Sequence, residues 1–416
     1  MIEWNETHLQ IREMFQRFVE AEVAPKIDDI ELGDTPPYEV LRKMFATFGA
    51  GDMAKAKFDA DLEKEKKRAA SGEPPPEKKK REGFSQEAAD AAAMRAIPTI
   101  ELSKYSPGMI TALGVSVGLT AGAIQRKGTI AQKERFVPEL LTLQKIGAWA
   151  ITEPSSGSDA FGSMKATARR DGDHYLLNGQ KTFITNGPYA DTIVFICRLD
   201  DGSTAPEQRK VVSFILDKGM PGLVQSKPLR KMGLHGSPTG ELFLENVRVP
   251  KDRLIGESED TSARGDAKET FGSERTGVVA MALGIVERCL ALCTQYAGMR
   301  VQFGKPIGEF QLVQLKLAKM EVARMNIQNM LFKQIELAGW GKGLSLAEAS
   351  ACKLYSAQAA MDVCLEAVQL FGGNGYMAEY RVEQLCRDCK VLQIYGGTDE
   401  IQISQIARAL LHGNAG

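Results

Sequence analysis

The fold class that the sequence predicts is α+β, with a strand-rich middle segment between two helical segments. Three observations lead to this prediction. The first third has apolar residues at helical spacing, several short strand-like runs follow Gly147, and helical periodicity returns near Gly272. We therefore expect an N-terminal all-α domain at 1–146, a β-domain at 147–262 and a C-terminal helical bundle at 263–416.

Length and composition are those of an ordinary globular chain. Its 416 residues are 44% hydrophobic, and its 52 basic against 53 acidic side chains give a net charge of -1. This balance favours neither nucleic acid nor a membrane surface as a partner. The longest apolar run, Val278 to Val286, is shorter than the roughly 18 residues of a membrane span. Seven cysteines without framework spacing, and no secretory-signal pattern, predict a cytoplasmic location.

The N-terminal segment is predicted to be helical. Thr7 to Ala24 has apolar residues at helical spacing, and Pro25 ends that pattern. Thr129 and Gln132 form a capping-box pattern, which predicts the start of another helix. We expect Pro138 to end or kink that helix.

The segment 51–86 interrupts these helices and has an unusual composition. Eight basic and six acidic side chains are mixed between Asp61 and Glu82, and three consecutive prolines lie among them. The Lys/Glu part is compatible with a solvated helix, whereas Gly72 to Pro76 is not. The lysines alone would suggest a nucleic-acid-binding tail, but the interleaved glutamates favour a solvated or mobile insert.

The middle segment is predicted to form strands. The strand-like runs are Ala148–Thr152, Lys165–Arg170, His174–Leu177, Thr182–Thr185, Thr192–Leu199, Lys210–Leu216 and Glu241–Val249. Asp171-Gly172 and Asn178-Gly179 are turn signals between them. Short strands without intervening helices predict a β-sandwich or barrel rather than a parallel α/β sheet.

The C-terminal segment is predicted to be a four-helix bundle. The periodic stretches are 275–299, 309–338, 346–370 and 399–411. Ser345 and Glu348 form a second capping-box pattern at the start of one of these helices.

Short motifs do not by themselves identify the chemistry. The patterns GxxxxGK[ST] and HExxH are absent from the sequence, and the four histidines are scattered. Cys386 and Cys389 form a single CxxC pattern. Two cysteines on one helix explain it better than a metal or redox site, so no metal is predicted. Gly372 to Gly375 follows a helix and, taken alone, is typical of a helix C-cap.

Six longer strings in a fixed order are far more specific. They are Trp149–Gly162 (WAITEPSSGSDAFG), Gly179–Gly187 (GQKTFITNG), Lys231–Thr239 (KMGLHGSPT), Arg300–Gln311 (RVQFGKPIGEFQ), Gln369–Tyr376 (QLFGGNGY) and Arg387–Ile401 (RDCKVLQIYGGTDEI). In this order, on a helix–strand–helix chain, they resemble the acyl-CoA dehydrogenase family. The resemblance covers nearly the whole chain from about Pro107 onwards.

The resemblance implies a flavoenzyme that removes an α-proton and a β-hydride from an acyl-CoA thioester. The product is a trans-2-enoyl-CoA, and the electrons pass from FAD to an electron-transferring flavoprotein. This chemistry needs a positioned base for the α-proton and a cofactor that accepts the hydride. The resemblance also implies a homo-oligomer, usually a tetramer, because flavin sites in this family are shared between subunits.

The resemblance also implies roles for individual residues. The substrate-binding positions of the family correspond to Ser158, Arg275, Tyr395 and Gly397. Ser158 also corresponds to a cofactor-binding position. The other cofactor-binding positions are Ile151, Thr152, Phe183, Thr185, Arg300, Phe303, Gln311, Gln369, Gly373, Thr398 and Glu400. A guanidinium at Arg300 suits the oxygens of a pyrophosphate.

The expected catalytic base is missing from its most common position. Many relatives have Glu in a YEGT turn, but here Gly396 occupies that place. A glycine cannot take a proton, although its backbone N–H can still bond the thioester oxygen. In a subset of the family that includes isovaleryl-CoA and long-chain members, the Glu lies at the start of the first C-terminal helix. Glu274 matches that position, so the resemblance implies that Glu274 is the base, with Arg275 helping to keep it ionised.

Alternatives remain open at this point. Glu274 is also explained as a first-turn acid behind an N-cap at Ser273. The chain could instead be an oxidase that passes electrons to oxygen, a dehydrogenase of a bulky acyl-CoA, or a non-catalytic subunit. The loop of glycines and an acid that lies near the acyl pocket in relatives is replaced by 51–86, so chain length and branching of the substrate are not predicted.

Overall fold

The computed structural model describes residues 3–33, 35–74, 83–260 and 263–413, with the backbone alone for 263–274. Helices form the N-terminal segment, as predicted. They are α1 (Glu6–Phe18), α2 (Ile27–Glu31), α3 (Tyr38–Phe48), α4 (Ala50–Ser71), α5 (Gln86–Ser103), α6 (Pro107–Leu113), α7 (Gly122–Lys127) and α8 (Ile130–Leu141). The helix predicted from Thr7 continues beyond α1 as a π-helical turn and gives way to a 3-10 turn that contains Pro25.

The capping box predicted at the start of α8 is confirmed. The Thr129 hydroxyl accepts from the Gln132 N–H at 3.3 Å, and the Gln132 side chain accepts from the Thr129 N–H at 3.0 Å. The expectation that Pro138 ends the helix is wrong. Pro138 lies in the last turn, and α8 continues to Leu141. Only the hydrogen bond of that proline nitrogen is lost there.

The Lys/Glu part of the charged segment 51–86 forms α4, as its composition allowed, and more than half of the residues of this helix are exposed while one side packs against the protein. Helix α4 ends where Gly72 adopts a φ of +71°, close to the predicted break. Its Phe58 and Leu62 are buried in a core shared with α8. Two ion pairs, Lys66–Glu134 and Lys133–Glu65, join the helices, each at 2.6 Å. Residues 75–82 of the insert lie outside the described residues.

The middle segment forms one mixed, curled sheet. Its strands are β1 (Gly147–Ala150), β2 (Thr167–Asp171), β3 (His174–Thr185), β4 (Thr192–Asp200), β5 (Val211–Asp217), β6 (Leu223–Gln225) and β7 (Thr239–Pro250). The order is β1-β4-β2-β3-β7-β6, and β5 also pairs with β4. Strands β1 and β2 run parallel to β4, while the other pairs are antiparallel. The short strand β6 was not predicted.

The turn predicted at Asn178-Gly179 is not present, and β3 runs through it. Gly179 has a φ of +146°, and a Cβ there would lie 2.6 Å from the Ala166 Cβ. The register between β3 and β7 shifts between Leu177 and Gly179. The glycine therefore marks a β-bulge with close backbone approach rather than a hairpin turn. The other turn signal is confirmed, because Gly172 lies between β2 and β3 with a φ of +60°.

The C-terminal segment is a bundle of long helices. Its helices are α9 (Ala263–Met299), α10 (Gln311–Gly339), α11 (Leu346–Phe371), α12 (Val382–Lys390) and α13 (Asp399–His412). A small hairpin of β8 (Val301–Gln302) and β9 (Lys305–Pro306) connects α9 to α10. The hairpin and α12 were not predicted. Helix α5 of the N-terminal segment joins the core of this bundle.

Two helical stretches are long and apolar enough to cross a membrane by length and composition, Pro107–Lys127 and Arg275–Met299. The second is the central helix of the bundle, where Ala282, Leu283 and Val286 are fully buried. Burial inside the protein accounts for this apolar composition.

Candidate active site

Four residues predicted to contact flavin lie on adjoining backbones of the sheet. The Thr182 N–H donates to the Thr152 carbonyl at 2.9 Å, which places the chain after β1 beside the end of β3. Ile151 is buried, and Thr152 and Thr185 are half-buried. Phe183 lies where the register between β3 and β7 is irregular, with a φ of +55° and 69% of its surface exposed.

The loop after Thr152 is held by its own hydrogen bonds. The Ser156 hydroxyl donates to the Asp159 carbonyl at 2.7 Å. The Asp159 carboxylate accepts from the Gly162 N–H at 3.1 Å and the Ser163 hydroxyl at 2.8 Å. Ser158, predicted to contact both flavin and thioester, is exposed on this loop.

A buried ion pair that was not predicted from the sequence supports this loop. The Lys181 Nζ lies 2.8 Å from the Glu153 carboxylate and donates to the Ile151 carbonyl at 2.9 Å. The carboxylate also accepts from the N–H groups of Lys165 and Ala166. Both charged side chains are buried, and burial lowers the pKa of Lys181. Both residues occur in the strings that resemble the family, but nothing in the sequence indicates that they pair.

The turn Tyr395–Thr398 is built on two glycines with positive φ. Gly396 has a φ of +61° and Gly397 of +91°. The Gln402 amide donates to both of their carbonyls, at 3.1 and 2.7 Å, and the Lys353 Nζ donates to the Gly397 carbonyl at 2.9 Å. Because both carbonyls are bonded from inside the protein, the peptide groups of the turn have a fixed orientation.

The residues after this turn begin a helix. The Thr398 hydroxyl accepts from the Ile401 N–H at 3.4 Å and caps α13. Glu400 is exposed in the first turn, where hydrogen bonding at the helix start lowers its pKa.

Helix α9 places Arg275 next to the glycine turn. Arg275 is buried, and a Cβ added at Gly397 would lie 3.8 Å from its Nη2. The side chain of Glu274, the predicted base, lies outside the described residues. Because α9 begins at Ala263, residue 274 is not in a first turn, and the alternative that makes Ser273 an N-cap is wrong.

The other predicted cofactor contacts lie on the bundle surface. Arg300 precedes the hairpin β8–β9, Phe303 is at its tip with a φ of +52° and 94% exposure, and Gln311 begins α10. Gln369 and Gly373 are exposed at the end of α11. Within the described parts of the chain, no hydrogen bond or ion pair joins these five residues to Ile151, Thr152, Phe183 or Thr185.

Comparisons with known proteins match this arrangement. The family model of the acyl-CoA dehydrogenase middle domain matches residues 148–247, and that of the acyl-CoA dehydrogenase C-terminal domain matches residues 264–411. An acyl-CoA dehydrogenase of Bacillus subtilis (strain 168) is 36% identical over 408 residues, which cover 97% of this chain and 98% of that protein. The chain belongs to the acyl-CoA dehydrogenase family.

Solved structures of acyl-CoA dehydrogenase relatives have the same fold. The chain is similar to butyryl-CoA dehydrogenase from Megasphaera elsdenii, with a TM-score of 0.83 and 32% identity, covering 99% of this chain and 100% of that one. It is also similar to a chain in a structure described as the electron transferring flavoprotein of Acidaminococcus fermentans, with a TM-score of 0.81 and 33% identity. The match covers 99% of this chain and 100% of that one. The α+β fold predicted from the sequence is confirmed.

Membership of the acyl-CoA dehydrogenase family makes the chain an FAD-dependent oxidoreductase. The residues present suit such a cofactor. An exposed aromatic ring at Phe183, next to the buried Ile151 and half-buried hydroxyls of Thr152 and Thr185, offers an apolar surface with hydrogen-bonding groups at its edge. A flavin ring system needs this combination.

The loop Lys231–Thr239 of this acyl-CoA dehydrogenase joins all three segments of the chain. The His235 ring contacts the backbone carbonyls of Glu31 and Lys231 and lies 3.4 Å from the Glu31 carboxylate. From the C-terminal side, the buried Asp388 accepts from the Leu234 N–H. Both ring nitrogens of His235 thus face oxygen atoms, which favours the protonated imidazolium.

We expect His235 to make the stability of the chain pH-dependent. Its hydrogen bond with Glu31 raises the pKa of His235 to about 9, from an ordinary value of 6.5. The stabilisation is therefore fully present below about pH 6.5 and is lost as the pH rises through about 9. The measurement is the difference in Tm between wild type and His235→Gln at a series of pH values from 6 to 10. This difference should shrink towards zero as the pH rises. A difference that is constant with pH would contradict the expectation. Comparing the two proteins cancels the titration of Asp388 and Lys231 to first order, since both groups are present in each.

Proposed function

We propose that the chain oxidises an acyl-CoA thioester to its trans-2-enoyl-CoA and passes the electrons to an electron-transferring flavoprotein. The observation that supports this most is the position of the glycine turn Tyr395–Thr398 against α9. Arg275, the residue next to the proposed base, lies beside Gly397 of that turn. Two positions separated by most of the C-terminal segment, Arg275 and Gly397, therefore meet at one place.

In the proposed mechanism, the base is Glu274 and the turn binds the thioester. The carboxylate takes the α-proton, and the N–H of Gly396 donates to the thioester oxygen as negative charge develops there. The missing side chain at Gly396 does not affect this role, because a backbone group performs it. Arg275 stabilises the ionised form of Glu274 through its positive charge.

Bound FAD would accept the hydride from the β-carbon. The residues proposed to hold its ring system are Ile151, Thr152, Ser158, Phe183 and Thr185, with Thr398 and Glu400 contributing from the start of α13. Ser158 would also contact the thioester, and Tyr395 would line the substrate site. Ser158, Phe183 and Glu400 are exposed and therefore accessible to a ligand.

We further propose that a second copy of the chain completes each cofactor site, in a tetramer made of two dimers. Arg300, Phe303, Gln311, Gln369 and Gly373 would contact the adenine and diphosphate parts bound mainly by the other subunit. Phe303 is almost fully exposed, and a row of exposed apolar side chains continues from it along α10. These side chains are Leu312, Leu315, Val322 and Met325. Exposed apolar rows of this kind mark protein interfaces. The proposed location is the cytoplasm.

A panel of acyl-CoAs tests the proposed function. The protein loaded with FAD is mixed without oxygen with thioesters that differ in chain length and branching, and flavin absorbance is followed. We expect rapid bleaching by one class of substrate and formation of its trans-2-enoyl-CoA. A protein that stays colourless after FAD addition, or a flavin that no thioester reduces, would refute the proposal. Rapid formation of hydrogen peroxide in air would instead identify an oxidase.

A further inference from the structure

Lys353 on α11 is a buried cation with no role in the mechanism so far. Its side chain is 0% exposed, and its Nζ lies 2.9 Å from the Gly397 carbonyl and 3.5 Å from the Asp399 carboxylate. Burial of a lysine is costly unless it is paired and hydrogen-bonded. The contacts of Lys353 lie on the glycine turn and on the first residue of α13, so this cost is compensated at the proposed thioester site.

The described charged side chains around the turn are two cations and two acids. Among the described side chains, Lys353 and Arg275 are two cations close to Gly397, and Asp399 is the acid that contacts Lys353. Glu400 adds a negative charge from the exposed side of α13, whereas Gln402 is neutral. Burial lowers the pKa of Lys353, and Asp399 opposes that effect.

We propose that Lys353 is a positioning residue that fixes the Gly396-Gly397 backbone and favours negative charge on the thioester oxygen bound there. Its hydrogen bond orients the turn, and its positive charge lies behind the peptide groups that face the substrate. A preorganised cation in a dry site stabilises developing charge more than it would in water. The proposal rests on the proposed function, because it needs a thioester bound at this turn.

The alternative is that Lys353 only anchors the start of α13. The two roles differ in what they predict for Asp399. If the charge of Lys353 acts on the substrate, Asp399→Asn makes the site more positive and favours an enolate. If Lys353 is only an anchor, Asp399→Asn loosens the turn and disfavours an enolate or leaves it unchanged.

The test measures the ionisation of a bound 3-ketoacyl-CoA, acetoacetyl-CoA, whose enolate absorbs light independently of the flavin. For Lys353→Met, we expect the ionisation constant of the bound ligand to fall by about 10- to 100-fold, the range for lost positioning near a reacting group. For Asp399→Asn, we expect it to rise. Lys353→Arg, which keeps the charge, should restore part of the effect.

Lys133→Met is the matched control, because Lys133 is also a buried lysine with an ion pair but lies on α8, away from the turn. We expect it to leave the ionisation constant unchanged. Equal ionisation in wild type and Lys353→Met, or an unchanged or lower ionisation constant in Asp399→Asn, would overturn the proposal for Lys353. If Lys353→Met does not fold, the direction in which Asp399→Asn changes the ionisation constant of the bound ligand distinguishes the two roles of Lys353. Failure of the wild-type protein to bind the ligand would instead count against the proposed function.

Discussion

Replacing Glu274 with Gln is expected to lower the rate of flavin reduction by about 10²- to 10⁴-fold, the usual contribution of a general base. Gln has nearly the same shape as Glu but does not take the α-proton, so binding of FAD and acyl-CoA should persist. The measurement is single-turnover bleaching of the flavin by the best substrate of the panel, with ligand affinity measured separately.

Two further variants make this prediction specific. Glu13→Gln on α1 is a suitable control, since Glu13 is an exposed helical glutamate paired with Arg17, and its rate should equal that of wild type. Glu274→Gln combined with Gly396→Glu should recover part of the activity by supplying a carboxylate at the other position used in the family. A side chain at 396 must adopt the φ of +61°, which costs about 1–2 kcal/mol. Full activity in Glu274→Gln would refute the assignment of the base.

Replacing Glu153 with Ala is expected to lower the free energy of unfolding by about 3–5 kcal/mol, because it leaves a buried lysine without its partner. Lys181 would keep a single bond to the Ile151 carbonyl, and the N–H groups of Lys165 and Ala166 would lose their acceptor. Urea unfolding of the FAD-free protein measures the loss. We also expect weaker FAD binding, since Ile151 and Thr152 belong to the proposed flavin site.

The double variant Glu153→Leu with Lys181→Met separates the pair from the packing around it. With both charges removed, no unpaired charge is buried, so the double variant should be more stable than Glu153→Ala. Breaking the exposed Glu13–Arg17 pair by Glu13→Ala provides the comparison and should cost no more than about 1 kcal/mol. A loss of that small size for Glu153→Ala would show that the buried pair contributes little.

The sequence predicted the architecture well where the signal is local. Helical periodicity located α10 and α11 to within a few residues, and the Ser345 capping box is formed, with the Ser345 hydroxyl accepting from the Glu348 N–H at 3.3 Å. Capping and periodicity depend on neighbours in the sequence, so they can be recognised without the fold. Family resemblance added the cofactor and the reaction.

Features that depend on distant partners were missed or misjudged. Asn178-Gly179 has the composition of a hairpin turn, but β3 forms a bulge there, where Ala166, just before β2, comes close to Gly179. Lys181 and Lys353 look like ordinary surface lysines in the sequence, and only the fold gives each a buried acceptor. The charged pattern of α4 hides the two apolar residues, Phe58 and Leu62, that bury it against α8.

The position of α5 has a consequence for how the chain folds during synthesis. Its residues Ala89, Ala93 and Ile100 belong to the core around α9, and a Cβ at Gly284 of α9 would lie 2.2 Å from the Ile100 carbonyl. The ribosome must therefore make the whole sheet before α5 meets its partner. Until then its apolar face stays uncovered, and contacts between such distant parts of a chain form slowly. We expect nascent chains that stop before α9 to bind chaperones and aggregate, and the bundle to be the last part to fold.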